Sequence, residues 1–203
     1  MRPFREDSLV IASHNSGKVV EIKKLLAPYV RNLVTANEKK LPEPEENGET
    51  FHDNARIKAL AAVAGTNLPA LADDSGICLT ALNGAPGIHS ARWCGEPKNY
   101  QTAVDRIFKE LNDQPATTEF VTVFALAWSD GEIIYAEGCV QGTLLPEPKG
   151  ADGFGYDAYF IPDGYTKTFS ELGATVKDSI SARARALRNL VELCFEPGIK
   201  CEA

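Results

Sequence analysis

Two neighbouring aspartates, Asp73 and Asp74, are followed by Ser75 and Gly76. Vicinal carboxylates beside a tight turn suit a hard cation. Mg2+ takes one or two protein carboxylates and completes its shell with water and phosphate oxygens. If both aspartates are extended, their side chains leave opposite faces, and one alone meets a ligand directly. The same four residues also make an ordinary polar turn. An acidic run, Glu43, Glu45, Glu46 and Glu49, lies upstream. It is either a solvated loop or the source of a second carboxylate for the cation.

The cationic counterpart is Ser13, His14, Asn15, Ser16, Gly17 and Lys18, placed between a strand and a helix. A helix start offers unpaired N–H groups and a partial positive charge, and both suit phosphate. Gly17 lets a ligand approach the backbone, and Lys18 adds a full charge. The segment is not a P-loop: Ala12 stands at the first glycine position, and Val19 follows the lysine where Ser or Thr belongs. A plain helix cap by Ser13 or Asn15 is the alternative. Asn54 and Lys58 are four residues apart and share a helix face. That face either meets phosphate or is an exposed stripe.

A third group is flat and aromatic. Phe154 lies between Gly153 and Gly155, with Tyr156 and Asp157 after it, and Lys177 and the run Ser181, Ala182, Arg183 further on. A ring flanked by glycines can stack on a base, worth ~1–3 kcal/mol. Asp157 can accept from a base N–H, and Lys177 or Arg183 can donate to a purine 6-keto oxygen. The alternative is a core phenylalanine beside a salt-bridged aspartate.

The elements that must position these residues follow from periodicity and turn chemistry. A strand is predicted over 9–12. A helix follows on Val19, Ile22, Leu25 and Leu26 and ends at Pro28. A short strand covers 33–36. A second helix opens at Thr50 and is closed by Gly65. Strand segments 71–73 and 77–82 flank a turn at Asp74, Ser75 and Gly76. A helix covers 100–111, and a hairpin joins 120–128 to 133–144 across Asp130 and Gly131. A short strand follows the glycine-rich segment 150–156, and one last helix runs from 177 to 194. Strands and helices alternate early and a hairpin comes late, so the expected fold is mixed α/β with a partly parallel sheet. A cleft between two lobes is the natural ligand site.

The 203 residues suffice for one domain with a real core. A net charge of -7 repels polymeric nucleic acid on average but leaves small anions open. No apolar run approaches the ~20 residues of a membrane span, so no membrane is expected. The first eight residues show no apolar signal segment. Five scattered cysteines with no C-x-x-C pair argue against a zinc cluster or a disulfide framework, and the expected location is cytoplasmic.

In combination these segments resemble the inosine/xanthosine triphosphate pyrophosphatase family. The stretches that carry the resemblance are SHNSGK at 13–18, GETFHDNARIKA at 48–59, LPALADDSG at 68–76 and GAPGIHSARW at 84–93. FGYD at 154–157, GYTKTFSEL at 164–172 and KDSISAR at 177–183 complete it. They cover nearly the whole chain in the family's order.

The resemblance implies a single catalytic domain over 1–203. Its fold would be an elongated α/β structure with helices forming two lobes around a central cleft, usually as a homodimer. It implies cleavage of free non-standard purine triphosphates (ITP, dITP, XTP) to the monophosphate and pyrophosphate, with Mg2+. It also implies roles. Ser13, His14, Asn15, Ser16, Gly17 and Lys18 hold the triphosphate, and Lys58 touches the phosphates. Glu46 and Asp74 bind Mg2+, and Asp74 accepts the proton of the attacking water. Ser75 touches substrate. Phe154, Gly155, Tyr156, Asp157, Lys177, Ala182 and Arg183 hold the base. Ala182 departs from the family's usual histidine and implies a lost base contact. Two other readings are a pyrophosphatase for other modified nucleotides and a nucleotide-binding protein with weakened catalysis.

Overall fold

The computed structural model describes residues 2–195. Its elements are β1 (Ser8–Ile11), α1 (Ser16–Leu26), β2 (Asn32–Thr35), α2 (Phe51–Thr66), β3 (Ala70–Leu79) and α3 (Tyr100–Leu111). They continue with β4 (Thr117–Ala127), β5 (Ile133–Leu144), β6 (Phe160–Pro162), α4 (Phe169–Ile180) and α5 (Ala182–Cys194). One six-stranded sheet has the order β2-β1-β3-β4-β5-β6. β1 is parallel to β2 and to β3, and β5 is antiparallel to β6, so the sheet is mixed as expected. Among the described residues no helix is long and apolar enough to cross a membrane.

The described chain divides into two compact units. The first contains residues 2–74, 123–137 and 186–195, and the second residues 75–122 and 138–185. In the first, Ile22 and Leu26 of α1 and Leu187 and Leu190 of α5 close over Leu9, Ile11, Leu71, Phe124 and Leu126. In the second, α3 buries Val104, Ile107 and Leu111 with Ile77, Leu79, Tyr156 and Tyr159. A neighbouring cluster joins Val140, Phe160, Phe169 and Ala182, and Phe120 meets Phe160 edge-on at 4.9 Å.

Four expectations change. Residues 74–76 do not turn, and β3 runs unbroken from Ala70 to Leu79. Each polar side chain finds a partner without leaving the strand: Asp73 takes Lys18, Asp74 takes Asn54 and Lys58, and Ser75 takes Thr122. Residues 80–82 leave the strand as a short 3-10 turn. α2 passes through Gly65 and ends at Asn67, whose φ of 54° supplies the left-handed stop. The single last helix is two. Ser181 is extended, and its hydroxyl accepts from the Ala184 N–H, which makes it a cap for a new helix.

α2 starts on a reciprocal cap. The Thr50 side chain accepts from the Asp53 N–H at 3.1 Å, and the Asp53 carboxylate accepts from the Thr50 N–H at 3.2 Å. Thr50→Ala is expected to cost about 1 kcal/mol, or roughly 2–4 °C of melting temperature. A thermal melt indistinguishable from wild type would mean that this cap contributes nothing.

Candidate active site

The first unit assembles the expected anionic and cationic groups. Asn15 caps α1: its side-chain oxygen accepts from the Lys18 N–H at 3.1 Å. Ser13 accepts from the Asn15 N–H at 3.3 Å. His14 donates from Nε2 to the Leu41 carbonyl at 2.9 Å, which ties the loop before α1 to the segment after β2. These three side chains therefore shape the loop. The first turn of α1 contains no acidic residue of its own. Asn15 and Ser16 are exposed there. The Asn15 cap thus leaves this helix start open to solvent.

Lys18 and Lys58 each reach one of the paired aspartates. Lys18 Nζ lies 2.8 Å from Asp73 Oδ2. Lys58 Nζ lies 3.1 Å from Asp74 Oδ1 and 2.6 Å from Glu46 Oε1. Extended backbone explains the division, because adjacent side chains on a strand leave opposite faces. Asp73 is a buried partner for Lys18. Asn54, buried in α2, donates from Nδ2 to Asp74 Oδ2 at 3.3 Å and accepts from the Gly48 N–H at 2.9 Å. The face shared by Asn54 and Lys58 is therefore no exposed stripe: it holds the carboxylate of Asp74.

Burial pushes the Asp74 carboxyl above the usual carboxylate range. Lys58 opposes this shift, Glu46 adds to it and Lys18 opposes it. Burial also acts against the charge of Lys58, but Asp74, Asp73 and Glu46 together outweigh it and raise its pKa, so the ammonium stays charged. Among the described residues no three metal-binding side chains converge. Glu46 and Asp74 present two carboxylates on one ammonium. That donor set fits Mg2+, which needs few protein oxygens when substrate and water supply the rest. Burial lifts the Cys78 and Cys194 thiols to about 11, so neither is a thiolate nucleophile at neutral pH.

The second unit assembles most of the expected base-binding group. Phe154 is half-buried, with Lys177 Nζ 4.2 Å and Arg183 Cζ 5.8 Å from its ring centroid. Asp157 Oδ2 accepts from Lys177 Nζ at 2.6 Å and from the Phe154 N–H at 2.8 Å. That carboxylate oxygen thus fixes both the lysine and the loop. Gly153 and Gly155 have φ of 86° and 69°, and a side chain on Gly153 would run into Asp157. Arg183 Nη2 donates to Ser75 Oγ at 3.4 Å, and Ser75 shares a 3.0 Å hydrogen bond with Thr122.

Two of the expected contributors are buried. The Tyr156 ring is in the core, and its hydroxyl donates to the Ser90 carbonyl at 2.7 Å. Ala182 is buried in the cluster with Val140, Phe160 and Phe169, so position 182 contributes only a methyl group to the interior. Sequence reasoning missed Thr122, which sits in an apolar strand. Its signal was a hydroxyl between Val121 and Val123.

A profile of the Ham1 family matches residues 9–193. The chain is 50% identical over 198 residues to a dITP/XTP pyrophosphatase of Rhodospirillum centenum, covering 96% of this chain and 98% of that one. It is 45% identical over 198 residues to a dITP/XTP pyrophosphatase of Zymomonas mobilis, covering 96% and 95%. Among solved structures, a HAM1 protein from Coxiella burnetii superposes with a TM-score of 0.84 at 36% identity, over 93% of this chain and 98% of that one. The Staphylococcus aureus Ham1 protein gives 0.81 at 34% identity, over 92% and 97%. With the match spanning nearly all of the sequence and the fold agreeing throughout, this chain belongs to the Ham1 family.

Proposed function

We propose that the chain hydrolyses non-standard purine nucleoside triphosphates (ITP, dITP and XTP) to the monophosphate and pyrophosphate, and so removes them from the nucleotide pool. The observation that carries this reading is the buried Asp74 carboxylate, held by Asn54 and Lys58 beside Glu46. The near-full-length relatives named dITP/XTP pyrophosphatase support it.

In this reading the residues of the first unit handle the phosphates. The start of α1 and Lys18 hold the triphosphate, and Lys58 takes charge from its oxygens. Positioned cations supply most of the catalysis of phosphoryl transfer, because the transition state spreads charge over those oxygens. Glu46 and Asp74 hold Mg2+, which when bound withdraws further charge from the phosphate. Asp74 orients a water toward the α-phosphorus and accepts its proton. The new P–O bond forms as the bond to the α–β bridging oxygen breaks, and pyrophosphate leaves.

Residues of the second unit read the base. Phe154 supplies a stacking face, and Lys177 and Arg183 aim donors at position 6. Hypoxanthine and xanthine present a keto oxygen there, whereas adenine presents an amino group that also donates. An unmatched buried donor costs ~1–3 kcal/mol, roughly 5- to 150-fold in rate. ITP and XTP should exceed ATP by that factor in kcat/KM, with pyrophosphate as the product. A panel of ITP, XTP, GTP and ATP, with pyrophosphate and orthophosphate measured separately, checks this. ATP cleaved as fast as ITP, or orthophosphate as the first product, contradicts it. We further propose one catalytic domain over residues 1–203, a homodimer in solution, and a cytoplasmic location beside the nucleotide pool.

A further inference from the structure

We infer that Asn54 is a positioning residue: its amide joins the loop that carries Glu46 to the carboxylate of Asp74 and sets the spacing of these two anions. The inference rests on the reading that Glu46 and Asp74 hold the divalent cation.

The geometry permits one orientation of the amide. A backbone N–H can only donate, so the atom 2.9 Å from the Gly48 N–H is the side-chain oxygen. The NH2 group is thereby turned toward Asp74 Oδ2, at 3.3 Å. Asn54 is fully buried, and its own N–H donates to the Thr50 carbonyl at 3.1 Å within the capped first turn of α2. The amide therefore projects from a rigid base rather than from a loop.

Gly48 is two residues from Glu46 and passes very close to this helix. A Cβ there would lie 2.8 Å from Asn54 Oδ1 and would collide with Asp53 Cβ. The absence of a side chain is what lets the loop reach the amide. One oxygen of Asp74 is thus held by Asn54 and the other by Lys58, while Lys58 also holds Glu46. Asn54 uses its donor on the carboxylate that also meets the lysine.

The test measures Mn2+ binding to the substrate-free protein by electron paramagnetic resonance, beside the Mg2+ dependence of ITP hydrolysis. Asn54→Leu keeps the branching at Cγ and removes both hydrogen bonds. Groups that orient metal ligands typically contribute 10–100-fold in affinity or activity. The expected result is a fall in Mn2+ affinity of that size, a matching fall in kcat/KM at low Mg2+, and a smaller change in KM for ITP at saturating Mg2+. A folded Asn54→Leu protein that binds Mn2+ like wild type overturns the inference. If Asn54→Leu does not fold, Gly48→Ala decides: it leaves Asn54 in place but pushes the loop away, and should weaken Mn2+ binding about 10-fold or more. Wild-type affinity in that variant overturns the inference equally. Asp74→Asn is the control. If it too binds Mn2+ normally, the cation-site reading fails and takes this inference with it. If it loses Mn2+ while folded Asn54→Leu keeps it, the inference alone fails.

Discussion

Asp74→Asn is expected to lower ITP turnover by ~10²–10⁴-fold, the range typical of a positioned acid–base group, while the protein stays folded. The amide cannot accept the water's proton, and it offers one neutral oxygen where the carboxylate offered two. Folding should survive because two effects oppose each other. Burial already disfavours the charged form of Asp74, so its neutral replacement removes a desolvation cost. Lys58 loses one anionic neighbour but keeps Glu46 at 2.6 Å. In the cation-free protein the same burial links stability to pH. A raised carboxylate pKa costs stability at pH values above it, and that cost fades as the group protonates. The raised Lys58 contributes stability below its unfolded-state pKa and loses it as pH rises through the folded value. Turnover and a thermal melt of purified Asp74→Asn check the claim. Activity within tenfold of wild type would remove Asp74 from the proton-accepting role.

The second large effect is on stability. Asp157 and Lys177 form a buried ion pair 2.6 Å apart, with side-chain exposures of 6% and 9%. Truncating one member of such a pair typically costs ~3–5 kcal/mol, because a buried charge loses its counter-charge. Asp157→Ala also deprives the Phe154 N–H of its acceptor at 2.8 Å. A drop of roughly 6–20 °C in melting temperature is expected for a chain of this size. The KM for ITP should rise with it, since the Phe154 loop and Lys177 lose their common anchor. Asp157→Asn, which keeps an oxygen for the Phe154 N–H, should fall between the two. A wild-type melting curve for Asp157→Ala would show that Lys177 is compensated by other means, and the ion pair would lose its assigned weight.

Much of the local structure was legible because short-range chemistry decides it. The i, i+3, i+4 spacing of Val19, Ile22, Leu25 and Leu26 specifies α1, and α3 falls on Tyr100–Leu111 as its periodicity predicts. The hairpin strands follow from the apolar runs on either side of Asp130 and Gly131, with β5 at Ile133–Leu144. The failures share one cause. Asp74, Ser75 and Gly76 look like a turn because polar residues beside a glycine ordinarily seek solvent. Here Asn54, Lys58 and Thr122 reach them in place, so the strand continues. The division at Ser181 was invisible for a related reason: the apolar spacing continues through it, and only the cap to Ala184 reveals the break.

What the residue order alone settled is the inventory: which charged, polar and aromatic groups exist, on which elements, and in which order the family's segments occur. It settled this because helical and extended periodicity, caps and turns act over a few residues. Only the tertiary structure decided how those groups pair. It sent Asp73 to Lys18 and Asp74 to Asn54 and Lys58, turned Asp157 into an anchor for Lys177, and withdrew Tyr156 and Ala182 into the interior. Hydrogen-bond partners tens of residues apart are selected by burial, where an unsatisfied polar group is costly, and that selection has no short-range signature in the chain.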